Sequence, residues 1–93
     1  MNSTEKLSRV KDINPEAILA DGFNDAIIGV CERAGGMGPV VLYDVGKCLE
    51  ILIERDGMSE EGAVEFFEFN VRSAWVGDET PVFAEIFEGG TDA

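Results

Sequence analysis

The apolar positions fall into short blocks separated by glycine, proline and acidic residues. Residues 1–12 show little apolar periodicity, which predicts a flexible N-terminal arm ahead of the folded part. Asn14-Pro15-Glu16 reads as a helix start: asparagine can accept from the free N–H groups of a first turn, proline needs no donor there, and glutamate faces the positive dipole end. Ile13 and Ile18 sit at staple positions and Gly22 is a stop, so a short helix is expected over 15–21. Phe23 to Arg33 is apolar and β-branched enough for a strand. Ala34-Gly35-Gly36-Met37-Gly38-Pro39 breaks it, and Val40-Val41-Leu42-Tyr43 reads as the return strand of a hairpin.

Helical spacing dominates the next forty or so positions. Asp44 can cap a helix running to Asp56, with Gly57 as its C-terminal glycine and Val45, Cys48, Leu49, Leu52 and Ile53 on one face. Ser59-Glu60-Glu61 opens another helix, its apolar face predicted as Ala63, Val64, Phe67, Val71, Ala74 and Trp75, with Phe66 at the border. Gly62 stands where a glutamate would complete the capping box. Glu68 and Arg72 form an i,i+4 pair, Gly77 to Pro81 turns the chain, and Val82–Phe87 reads as a third strand. The expected fold class is α+β, order α-β-β-α-α-β: a small antiparallel sheet, hairpin plus C-terminal strand, covered on one face by helices. Residues 13–88 form the single compact domain, and 89–93 a frayed tail.

Charge changes this picture more than composition does. With 93 residues, 45% apolar and 28% charged, the chain suits one folded core. Nineteen acidic against seven basic residues give −12, a balance that opposes direct binding to nucleic acid or an anionic membrane. Setting residues 1–12 aside, with Lys6, Arg9 and Lys11, leaves four basic against seventeen acidic residues, a net −13. Residues 56–93 hold ten acids against one base, Arg72. There is no histidine, which removes the commonest general base and metal ligand, and Cys31 and Cys48 form no CxxC pattern. The first residues lack an apolar stretch, so no secretory signal or spanning helix is expected. Reduced thiols and a cytoplasmic setting follow as the default.

Three motifs invite chemistry and have simpler explanations. Gly35-Gly36-Met37-Gly38 lacks the lysine and following helix of a phosphate loop and reads as a hairpin turn. Asp56 to Glu61 lacks the ligand alternation of a calcium loop and reads as helix stop, turn and helix start. Carboxylate pairs are too abundant to single one out, and neither cysteine has a histidine to activate it. The expectation is therefore no catalytic, cofactor-binding or metal-binding residues, and no cofactor.

Two residues break their helical patterns: Phe69 falls among Glu65, Glu68 and Arg72, and Ile51 near Lys47 and Glu54. A large apolar side chain among charges is a candidate partner contact, unless a second layer covers it. Acidic side chains spaced along a helix can also stand where phosphates lie along a duplex, and so compete for a protein that binds nucleic acid. The alternative is a solvated face that keeps a small protein soluble. The candidate partner-binding set is Glu61, Glu65, Glu68, Phe69, Asp78, Glu79 and Ile51, with Phe69 or Trp75 as apolar anchor.

Ile13-Asn14-Pro15-Glu16-Ala17, Ala20-Asp21-Gly22-Phe23, Val41-Leu42-Tyr43-Asp44, Glu54 to Glu61, Glu65 to Val71, Ala74-Trp75-Val76-Gly77 and Thr80-Pro81-Val82-Phe83 together resemble a family of small acidic bacteriophage and prophage proteins. The likeness covers residues 13–83 and carries no activity. It implies a phage-type product acting in the cytoplasm of a bacterial host. The expected function is a non-catalytic interaction module, an inhibitor of a nucleic-acid-handling or defence protein with a basic surface. The alternative is a small homodimeric accessory or structural protein; neither reading involves direct contact with nucleic acid or membrane.

Overall fold

The computed structural model describes residues 1–35 and 38–87. The expected tail at 89–93 and the centre of the predicted hairpin turn, Gly36-Met37, lie outside the described residues.

The first element is a helix where an arm is expected. Helix α1 spans Ser3–Ile13, and the Asn2 side chain caps it by accepting the Glu5 N–H at 2.9 Å. Its apolar stripe is thin, and Val10 is its one fully buried side chain. Asn14-Pro15 ends this helix rather than starting one. The residue before a proline is pushed out of the helical region, and Asn14 is extended at φ −150°, ψ 97°. The predicted cap bond does form, from the Glu16 N–H to Asn14 Oδ1 at 3.0 Å, yet it closes only a turn. The following N–H groups find distant partners: Ile18 donates to the Glu79 carbonyl and Ala20 to the Tyr43 hydroxyl. With those donors spent on tertiary contacts, no helix forms over 15–21.

A short 3₁₀ turn, Asn24–Ala26, leads into strand β1, Ile27–Cys31. Strand β2, Val40–Asp44, pairs antiparallel with it, in a register that slips between Ile27 and Gly29 and leaves Ile28 in a bulge. Helix α2, Val45–Asp56, has the expected limits. Asp44 accepts the Lys47 N–H, and Gly57 ends the helix at φ +69°, a conformation natural to glycine. Helix α3, Glu60–Phe67, starts on Ser59, whose hydroxyl accepts the Gly62 N–H at 3.0 Å.

Beyond Phe67 the helix widens into a π turn, Glu68–Arg72, and ends there. The Asn70 amide donates to the Phe66 carbonyl and the Ser73 hydroxyl to the Phe69 carbonyl, satisfying acceptors in the wider turn. Ala74 and Trp75, expected on the buried helical face, therefore lie past its end and are exposed, as is Val64. Strand β3 is shorter than predicted, Val82–Ala84, and pairs with β2 in parallel, Tyr43 opposite Phe83. The α+β class and the element order hold. The sheet, ordered β1-β2-β3, is mixed rather than wholly antiparallel, because α2 and α3 form a crossover between β2 and β3.

The core lies where sheet and helices meet. Val41 and Tyr43 of the sheet, Cys48 and Leu52 of α2, and Ala63 and Phe67 of α3 are buried together, with Val10, Phe23, Ala26 and Ile27 closing the cluster. Phe83 brings β3 into it, stacking on Tyr43 at 5.4 Å and meeting Phe67 edge-on at 5.3 Å. Phe23 is held under the Arg55 guanidinium, 5.7 Å above its ring, while Arg55 also donates to the Gly22 carbonyl at 2.7 Å. Among the described residues no helix is long and apolar enough to cross a membrane.

Candidate protein-interaction surface

The outer side of α3 is fixed by what its inner side buries. Ala63 and Phe67 face the core, so at about 100° per residue Glu61, Glu65 and Glu68 fall on the opposite side, and all three are exposed. The π turn then decides the next residues. Its slower winding brings Val71 back toward the buried side, where it packs against the core, and leaves Phe69 outside beside the acidic ridge. Phe69 is 77% exposed. No second layer covers it among the described residues.

One arginine knits this ridge to the end of the sheet. Arg72 donates to Glu68 at 3.1 Å and to Glu85 at 3.4 Å. Those two carboxylates hold the guanidinium above its ordinary pKa. The bridge brings Glu85 close to Glu68. Ile86 and Phe87 are 60% and 81% exposed, and Trp75, past the π turn, is 68% exposed. Phe69, Trp75 and Phe87 are thus three aromatics left largely in water.

The other expected site residues divide. Asp78 is exposed in the turn after the π segment. Glu79 is structural: its Oε2 accepts from the Asn14 amide at 2.7 Å and its carbonyl from Ile18, so it ties two distant segments together. Ile51, unlike Phe69, is half-buried and packs against the core. Glu88 and Asp92 of the acidic segment lie outside the described residues. Phe87 and the Arg72–Glu85 bond escape sequence reasoning, because regular strand pairing stops at Ala84 and a cross-element ion pair leaves no spacing to read.

Beside the ridge lies a cleft of about 210 Å³ between segment 18–23, the π turn and β3, with Val71, Val76 and Phe83 in its walls. Among the described residues no three cysteine or carboxylate side chains come together as a metal site. No family model, curated protein or solved structure matches the chain.

Proposed function

We propose that the protein is a non-catalytic interaction module that docks on the basic surface of a protein, through the ridge Glu61, Glu65 and Glu68 with Phe69 as anchor. The observation that carries this reading is an aromatic ring 77% exposed beside three exposed carboxylates, in a segment whose only base is already paired. A desolvated aromatic supplies affinity at the centre of such a contact, while surrounding charge selects and steers the partner. A surface built to accept phosphates, such as that of a protein handling nucleic acid, fits this charge. The phage-type inhibitor reading rests on the sequence likeness alone.

A second reading, a small homodimeric accessory protein, is favoured by the apolar exposure of Trp75, Ile86 and Phe87. Salt separates the two, since an ionic contact weakens as screening shortens to about 8 Å at physiological strength whereas an aromatic dimer persists. Capture from a bacterial lysate at low and moderate salt should recover a nucleic-acid-handling protein that added duplex DNA displaces. Glu61→Lys/Glu65→Lys/Glu68→Lys and Phe69→Ser should each lose it while remaining folded. Recovery of the same proteins by the charge-reversed variant would reject the acidic-ridge reading, and a salt-resistant dimer lost in Phe69→Ser would favour the second.

A further inference from the structure

We propose that the groove between α1 and β1 binds an anionic amphiphile, a carboxylate head on an unbranched apolar tail of medium length. The groove is half open to solvent and has a volume of about 440 Å³, inside the range of about 300–1,000 Å³ typical of small-molecule sites. Val10 and Ile13 of α1 and Ile28 and Val30 of β1 form its walls, and Ile13 and Ile28 are each 47% exposed, apolar surface left in water.

Two further observations point to an occupant. Gly29 lies within β1 without a positive φ, so its backbone makes no demand for glycine, and a Cβ added there meets nothing within 4 Å. Glycine inside a strand weakens it, and one use of that weakness is to leave room for something that approaches closely. The second observation is charge. In a chain with nineteen acidic residues, no carboxylate among the described residues lines the groove, and the charged side chains among the described lining residues are Lys6 and Arg9. Lys6 donates to the Asp25 carbonyl at 3.2 Å, which pins it at the 3₁₀ turn, and Arg9 follows it along the same helix. Asp25 itself is turned to the Ser3 hydroxyl at 2.6 Å. Apolar walls, open space beside Gly29 and two cations in the lining match a tail and an anionic head.

Titration of the full chain with sodium decanoate below its micelle concentration, followed by amide NMR, tests this. Saturable shifts are expected at Arg9, Val10, Ile13 and Ile28–Val30, with weaker binding of decanol, which lacks the charge. Gly29→Val, a good strand residue that adds bulk in the lining, should weaken decanoate binding at least tenfold, and Ile13→Asp, at an exposed position, should do the same should the valine disturb folding. Arg9→Glu should weaken decanoate several-fold and leave decanol unchanged. Equal affinity in wild type and both groove variants, or no saturable shift in the groove, would overturn the proposal. So would equal binding of decanoate and decanol by the wild type. Groove shifts produced by a peptide of residues 60–72 but not by decanoate would assign the groove to a second copy instead.

Discussion

Tyr43 is wholly buried, and its one polar atom is spent on the Ala20 N–H at 2.7 Å. Cys48, equally buried one helical turn into α2, has no charge partner of opposite sign. Burial pushes the Cys48 thiol up to about 12 from its ordinary 9.0, with the Asp44 carboxylate adding to the rise, and burial likewise lifts the Tyr43 phenol above its ordinary 10.0. Both groups are neutral when protonated, so the folded state holds these protons more tightly than the unfolded chain does. Their contribution to stability is complete below about pH 9 and is lost as the pH rises from there toward 12. The urea midpoint should therefore fall between pH 9 and pH 11. Cys48→Ala, less stable at neutral pH through the cavity it leaves, should show a shallower fall over that range; an unchanged slope would mean the thiol does not contribute.

At the scale of elements, Asn14 does the work expected of a helix start and starts none. Its amide donates to the Pro39 carbonyl and to Glu79, both at 2.7 Å, while its Oδ1 accepts from Glu16. Asn14→Ala removes all three bonds and should lower stability by about 2 kcal/mol, read from urea unfolding, against less than about 0.5 kcal/mol for a solvated surface position. Helices α2 and α3 were legible because their limits are local: Asp44, Gly57 and Ser59 each act within one turn of their own position. Segment 15–20 was not, since its Ile18 and Ala20 N–H groups are claimed by Glu79 and Tyr43, far away in sequence. Helix α1 carries a readable Asn2…Glu5 start, masked by a stripe too thin to register as amphipathic. The same contrast runs through the candidate surface. Phe69 announces itself by its angle among charges, whereas Trp75 falls on the inner face of an ideal helix and leaves it only because the π turn ends the winding at Arg72.

Across the whole molecule, charge is sorted by element. Three of the seven basic residues sit on α1, and three acids and no base on α3. The acidic ridge and the cation-rimmed groove are thus built from different helices, so substitutions in one leave the other intact. The parallel pairing of β3 ties one of them to the rest of the fold. Leu42 meets Val82 only after both intervening helices are in place, whereas β1 and β2 meet across a single loop. Closing the longer loop costs more chain entropy, and β3 repays it over only three residues, chiefly through Phe83. Strand β3 is therefore expected to dock last and release first, with its amides exchanging with solvent faster than those of Val41 and Tyr43 in native-state hydrogen exchange; equal protection would contradict this order. Because Glu85 follows β3 directly and is bonded to Arg72, every release of the strand also parts Glu85 from the acidic ridge, and a partner gripping Glu85 and Phe87 would act as a latch on the last step of folding.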